Sequence, residues 1–303
     1  MIIAHLTDPH LFLGRPSPVE WAGKRGLSYA NWLRRRRHLH RPEIAGRIVA
    51  DVTSAEPDYI VMTGDLVNFS LDREIAAGAG WLAALGPPER VGVVPGNHDA
   101  LVGGFERALA RHWGPYLAGD DGSAGFPWLR RRGEVALIGL SSAVATPPFF
   151  ATGTVGAVQR EALGRILDRT GREGLCRIVL VHHAPTPLTL WRKRLTDGPA
   201  LSAMIARHGA ELVLHGHNHR AELSWIDAAR GRVPVIGAPS CSMRPGAGHD
   251  AAAWFRIEVA RAGAGWRLTL AERRIDSSGV LGDVPRLELL RPGPELAGPA
   301  AAP

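Results

Sequence analysis

Five short, mainly apolar runs each stop at side chains able to bind a metal. Ile2–Leu6 precedes Asp8 and His10, and Tyr59–Met62 precedes Asp65. Val91–Val94 precedes Asn97 and His98, Cys176–Val181 precedes His182, and Leu212–Leu214 precedes His217 and His219. Runs this short, bounded by Gly, Pro and Asp, read as buried strands. Helical patterns separate them. Pro42 suits a first-turn position of a helix reaching about Ala55, and further helices are predicted over Asp72–Leu85, Val155–Asp168 and Ala200–His208. In the third of these Val158, Leu163, Ile166 and Leu167 are expected to face inward. Strand alternating with helix requires crossover connections, hence a largely parallel sheet covered by helices. The carboxyl ends of parallel strands share one edge, where open α/β sheets place their ligand sites. Residues as far apart in sequence as Asp8 and His219 can therefore converge.

Glu134–Leu140 reads as one more strand after an irregular stretch around Gly114–Pro127. Beyond His219 the pattern changes. Glu222–Ile226, Val233–Ile236, Trp254–Val259 and Trp266–Leu270 follow one another without helices, and are expected to be antiparallel strands of a second sheet. The 303 residues fit one domain over 1–290, and the Pro, Gly and Ala of 291–303 read as a disordered tail.

No apolar stretch is long enough to span a bilayer. Only Cys176 and Cys241 occur, so no disulfide framework or thiolate metal site is expected. With Met1 leading straight into a strand, the expected location is cytoplasmic, with peripheral contact at the inner face of the membrane as an addition. The net charge is +7, and all but two of the 36 basic residues are arginine. The excess clusters at Arg34–Arg37, Arg130–Arg132 and Arg192–Arg194, read first as solvated surface and second as contacts to an anionic substrate or lipid. The clusters lack the aromatic interleaving of a single-strand channel, so nucleic acid is not the expected partner.

Asp8-Pro9-His10, Gly64-Asp65, Gly96-Asn97-His98-Asp99, His182 and Gly216-His217-Asn218-His219 occur in the order and approximate spacing of the calcineurin-like metallophosphoesterases. The sequence most resembles the bacterial class III, cyclic-nucleotide type, phosphodiesterase branch. The resemblance implies an α/β fold in which a two-sheet β-sandwich is flanked by helices and two metal ions sit over its edge. It places Asp8, His10 and His219 on one ion, Asn97, His182 and His217 on the other, and Asp65 between them. It also implies attack by a metal-bridging hydroxide on a phosphodiester, with His98 as acid or charge stabiliser. Nitrogen and oxygen donors without thiolate suit two divalent or mixed-valence ions of Mn, Fe, Zn, Co or Ni.

Supporting positions are expected for Asn68, Asp99 and His183, and structural ones for His5 and His215. His38, His40, His112, His208 and His249 belong to no motif. Many relatives carry an acid where Asn68 stands; an amide there only hydrogen-bonds and leaves the charge of His98 open. A phosphomonoester or a nucleotide–lipid pyrophosphate is the alternative substrate, with a nuclease or an inactive scaffold behind these.

An insertion over about 11–41 follows the ligand His10. Tyr29, Trp32, Leu33, Arg36 and His40 fall on one helical face, while Arg34, Arg35 and Arg37 lie off it. The expectation is a basic flap whose Arg34, Arg35 and Arg37 meet a phosphorylated or lipid-linked substrate or an anionic membrane, with the charge of Arg36 turned outward.

Overall fold

The computed structural model describes residues 1–246, 248–284 and 287–293. Two mixed sheets lie face to face, with helices on both outer surfaces. In the first sheet β1 (Ile2–Leu6), β2 (Tyr59–Met62) and β3 (Val91–Val93) are parallel. In the second, β4 (Trp128–Arg132), β5 (Val135–Gly139), β6 (Cys176–Leu180), β7 (Leu212–His215), β9 (Val233–Gly237) and β8 (Glu222–Ile226) lie in that order, with β5, β6, β7 and β9 parallel. Then β10 (Ala253–Ala262) returns beside β1, antiparallel to it, and β11 (Gly265–Ile275), β12 (Leu281–Asp283) and β13 (Leu287–Arg291) complete the first sheet.

The strands after His219 therefore do not form a sheet of their own. β8 and β9 extend the sheet that holds β7, whereas β10 to β13 extend the one that holds β1. Absence of helices between these strands revealed antiparallel pairing but not which sheet edge each would join. β13 carries the ordered domain through Arg291, one residue into the expected tail. Residues 294–303 of that tail lie outside the described residues.

Period-two alternation assigns each side chain to a layer. Ile3, Tyr59, Val61, Ile178, Leu180, Leu212 and Leu214 point into the space between the sheets, where Ile257, Leu268 and Leu270 meet them. The alternate residues point outward. Ala4, Leu6, Ile60 and Met62 pack beneath α3 (Pro42–Ser54), α4 (Asp72–Leu85) and α5 (Phe105–Leu117). Val179 and Val213 pack beneath α6 (Ala157–Arg172) and α7 (Gly198–His208). Trp128 ties the sheets together, since its buried ring donates from Nε1 to the carbonyl of Val93 at 2.9 Å.

Three local expectations need correction. The stretch beginning at Gly114 is in part helical: Pro115 sits in the last turn of α5, and Trp113 locks that helix to α4 by donating to the Ile75 carbonyl at 2.7 Å. Val158 is exposed rather than inward. It lies five residues before Leu163, about 140° around the helix from the buried face at roughly 100° per residue. Arg130 belongs to a strand and is buried, donating to the carbonyls of Ala118, Pro115 and Val91 at 2.7 to 2.8 Å, so its cluster is not wholly solvated. Among the described residues no helix is long and apolar enough to cross a membrane.

Candidate metal centre

The loops after β1, β2 and β3 enter from the first sheet, and those after β6 and β7 from the second, so the site straddles the seam of the sandwich. Backbone bonds stitch the loops together: Asp8 N–H donates to the Gly64 carbonyl at 3.0 Å, His10 N–H to that of Asp65 at 3.1 Å, and Gly216 N–H to that of His182 at 3.1 Å. All seven expected ligands are brought together here. Five of them, Asp8, His10, Asp65, His217 and His219, have left-handed backbones with φ from 45° to 69°. Such conformations cost on the order of 1–3 kcal/mol each and concentrate where a side chain must be aimed for function.

Two glycines permit the close packing. A Cβ on Gly96 would lie 2.2 Å from Asp65 Oδ1, and one on Gly216 would lie 2.0 Å from Thr7 Oγ1 and 2.5 Å from Asp8 Oδ2. Neither contact leaves room for a methyl group.

The side chains form two facing nests. In one, His219 Nε2 lies 3.1 Å from His10 Nε2 and 3.2 Å from Asp8 Oδ1. In the other, His182 Nε2 lies 3.2 Å from Asn97 Oδ1, and the buried Nε2 of His217 has no hydrogen-bond partner. Asp65 Oδ2 stands between them, 3.8 Å from His10 Nε2 and 3.5 Å from His182 Nε2. The rest of each carboxylate is already held. Asp65 Oδ1 accepts the His98 N–H at 2.6 Å, while Asp8 Oδ2 accepts the Thr7 hydroxyl at 2.6 Å and the His217 N–H at 2.9 Å. His182 Nδ1 donates to the Thr63 carbonyl at 2.6 Å, which fixes the tautomer and turns Nε2 inward. Converging lone pairs, an orphaned buried imidazole nitrogen and an all-nitrogen-and-oxygen donor set fit divalent first-row metal ions.

Electrostatics separate the histidines. Burial works against the charged form of His182, but Asp65 outweighs it and raises its pKa to about 9. Burial, reinforced by neighbouring positive groups, lowers His10 and His217 well below the ordinary value and His98 to about 3. His10 and His217 thus offer the neutral lone pair that a ligand requires, whereas His182, held charged by Asp65, would give up its proton to a metal ion.

The expected supporting residues are also present, with different tasks. Asp99 accepts three backbone N–H groups, from Asp65 and Gly96 at 2.8 Å and from Val67 at 3.1 Å, pinning two motif loops with one carboxylate. His183 has Nδ1 on the Ser142 hydroxyl and Nε2 on the Ala151 carbonyl, so both nitrogens are engaged and the ring supports His217 from 4.3 Å away. Asn68 does not hold His98 through its amide. Its Nδ2 donates to the carbonyls of His10 and Leu11, and it is the Asn68 backbone carbonyl that accepts from His98 Nδ1 at 2.9 Å. His5 and His215 hydrogen-bond to Thr63 and to the Gly216 carbonyl, in the structural places expected of them.

The flap departs most from expectation. Arg34, Arg35 and Arg37 are exposed, and it is Arg36 that enters the site, its Nη1 3.3 Å from His98 Nδ1. Since that nitrogen already donates to Asn68, the contact is a close approach of charge to ring. A π-helical turn over Trp32–Arg36 separates α1 (Lys24–Asn31) from α2 (Arg37–Leu39), and such turns reset which side chains face inward. His40 follows. It is buried with Nδ1 on the Ser242 hydroxyl at 2.8 Å, and its ring lies 4.5 Å from His10 and 5.3 Å from His219. His40 thus belongs to the site although no motif contains it; the available signal was a titratable pair, Arg36 and His40, on the flap's apolar face. The cleft above the nests has a volume of about 280 Å³ and is lined by Arg36, His98, Lys193, Asn218, Arg220 and Glu222 among others.

The sequence matches the calcineurin-like phosphoesterase family over residues 1–221. No curated protein matches it. Among solved structures, a dimetal phosphatase from Danio rerio superposes with a TM-score of 0.64 at 11% identity, covering 96% of this chain and 98% of that one. A purple acid phosphatase from yellow lupin (Lupinus luteus) seeds gives 0.54 at 12% identity, covering 96% of this chain and 54% of the lupin chain, so this protein spans about half its length. At such identities the likeness speaks for the fold alone. The family match extends through every ligand loop of the seam, and the chain belongs to the calcineurin-like phosphoesterases.

Proposed function

We propose that this phosphoesterase hydrolyses the P–O bond of a phosphodiester, as the resemblance to the class III phosphodiesterases suggests, with Asp8, His10, Asp65 and His219 holding one divalent ion and Asp65, Asn97, His182 and His217 the other. The observation that carries the reading is the pair of facing nests sharing Asp65 Oδ2. Bound ions would lower the pKa of a water and neutralise the charge that builds on phosphorus in the transition state. The chain's own groups do the rest. Arg36 presents a guanidinium to the phosphoryl oxygens. His98, anchored through Nδ1, directs Nε2 to the cleft. Burial and Arg36 keep this imidazole neutral while the site is empty of substrate. An anionic ester beside it supplies the missing counter-charge, favouring the protonated ring that can give its Nε2 proton to the leaving oxygen as water oxygen bonds to phosphorus.

A second reading, a phosphomonoester or nucleotide–lipid pyrophosphate, draws support from Arg36 and Lys193 together. Lys193, exposed at the rim of the cleft, is lowered by partial desolvation and then by Arg36 and Arg35, a cation among cations that favours extra negative charge in the ligand. Hydrolysis of matched chromogenic mono- and diesters, cyclic nucleotides and nucleotide-linked lipids, each with Mn, Co, Zn and Fe, decides between the two readings. Elemental analysis of wild type and Asp65→Ala tests the centre itself. Full activity after metal removal, or two tightly bound ions in Asp65→Ala, would refute the proposal.

A further inference from the structure

We infer that the mouth of the cleft is a docking surface for an anionic phospholipid bilayer. Three segments distant in sequence form this mouth: the flap over 11–41, the loop over 145–151 and the loop over 188–194. Lys24 Nζ donates to Thr146 Oγ1 at 2.5 Å, joining the first to the second. Ala151 N–H donates to the Arg192 carbonyl at 2.9 Å, and Phe150 and Trp191 pack edge to face at 5.4 Å, joining the second to the third. Each segment also lines the cleft, through Arg36, Ala151, and Leu188 with Thr189 and Lys193.

This mouth gathers most of the large apolar side chains that the described residues expose. Phe149 is 77% exposed, Leu190 64% and Trp191 62%, and Phe12, Val19, Trp21, Leu27 and Leu33 of the flap are exposed as well. Elsewhere such residues occur singly, as Val158, Leu223, Val280 and Leu290. Concentrated exposure of this kind marks an interaction site rather than ordinary surface. Charge identifies the occupant. The three segments contain one acid, Glu20, which Arg73 holds at 2.7 Å. Arg34, Arg35 and Arg37 of the flap and Arg192 and Arg194 of the third segment are exposed, and Arg35, Arg36 and Arg192 come close enough to Lys193 to act on its charge. Aromatic and leucine side chains interspersed with arginine suit the boundary between acyl chains and anionic headgroups. Nucleic acid would use the arginines but leave Phe149, Leu190 and Trp191 in water.

Docking requires no metal and no turnover. Its consequence, that the cleft opens onto the bilayer and takes a phosphoester carried by a lipid, rests on the phosphoesterase reading above. Two kinds of measurement keep these apart. The first is co-sedimentation of the whole protein with phosphatidylcholine vesicles, with and without phosphatidylglycerol, for wild type, Phe149→Ser/Trp191→Ser and Arg34→Gln/Arg35→Gln/Arg37→Gln. The second is hydrolysis of a small soluble diester by the same three proteins. Wild type is expected to bind the anionic vesicles. Loss of the two aromatic residues should weaken partitioning about a hundredfold, and each arginine removed should weaken it about fivefold in a salt-dependent manner. Hydrolysis of the small diester should be unchanged in both variants. No preference of wild type for anionic vesicles would overturn the inference, as would full binding by the aromatic variant or binding of duplex DNA in place of vesicles. Because sedimentation needs no turnover, it judges the surface whatever the hydrolysis assay shows.

Discussion

Asp99→Asn tests whether one carboxylate holds the motif loops together. The change keeps shape and volume but replaces an acceptor oxygen by an NH₂ group. In the structure Oδ2 accepts the N–H groups of Asp65 and Gly96, and Oδ1 that of Val67. Burial and then Asp65 push the Asp99 carboxyl up to about 7, so above that pH an amide oxygen in the first position retains two bonds without their charge and sets a donor against the Val67 N–H. Hydrogen bonds to charged groups are worth about 1.5–3 kcal/mol, and a stranded buried donor costs about 1–3 kcal/mol. One lost bond and two weakened ones then amount to roughly 2–4 kcal/mol. Unfolding entropy of about 2.1 cal/mol/K per residue over 303 residues gives about 0.64 kcal/mol/K. The expected fall in melting temperature is therefore roughly 3–6 °C. Calorimetry in chelator-treated buffer isolates this effect, since bound metal would add its own stabilisation. A metal titration of the same variant should show weaker binding, because Asp65 and the Gly96 turn are both released. An unchanged melting temperature with unchanged metal affinity would refute the claim that Asp99 fastens the loops.

Three further outcomes are expected. His98→Ala should retain both metal ions by elemental analysis while turnover falls on the order of 10²–10⁴-fold, with a smaller fall for esters of good leaving groups if the ring protonates the leaving oxygen. Equal losses for all leaving groups would assign it to charge stabilisation. Gly216→Ala should lose about 1–3 kcal/mol in a thermal melt and bind the ion at Asp8 more weakly than its neighbour, because the new methyl group meets Thr7 and Asp8 first. His40→Ala should weaken one of two metal-binding steps by about 10–100-fold in calorimetric titration, the size expected for residues that support ligands.

How much of this was legible in the sequence depended on whether a signal was local. Strand runs, turn glycines and ligand types sit within a few residues of one another, and all seven expected ligands do meet at the seam. Partnership between distant strands is not local. Nothing near Val233 states that β9 will lie beside β7, or near Trp254 that β10 will return to β1. The flap shows the same limit on a smaller scale. A regular helix through Tyr29 and Trp32 leaves Arg36 as a blemish on an apolar face, but the π-helical turn and the packing of Tyr29 and Trp32 near Phe69 turn that blemish into the centre. Arg34, Arg35 and Arg37 stand out in the sequence by their clustering, yet they are exposed and lie outside the lining of the cleft.

The position of Asn68 links these points to chemistry. An acid there would place a negative charge near His98 and hold the ring protonated. Here the Asn68 side chain instead holds the His10–Leu11 turn, and a neutral carbonyl orients His98. The charge closest to that ring is Arg36, of the opposite sign. In the absence of substrate the site is therefore arranged against a protonated His98, and an arriving anion has two effects: it pairs with Arg36 and it makes protonation of the ring favourable. Arg36→Gln separates these effects. Removing a cation should make His98 easier to protonate while weakening the hold on the phosphoryl group, so KM for an anionic ester should rise and the alkaline limb of the kcat/KM profile, where the ring loses its proton, should move to higher pH. A variant with raised KM and an unmoved pH profile would show that Arg36 binds substrate without tuning His98.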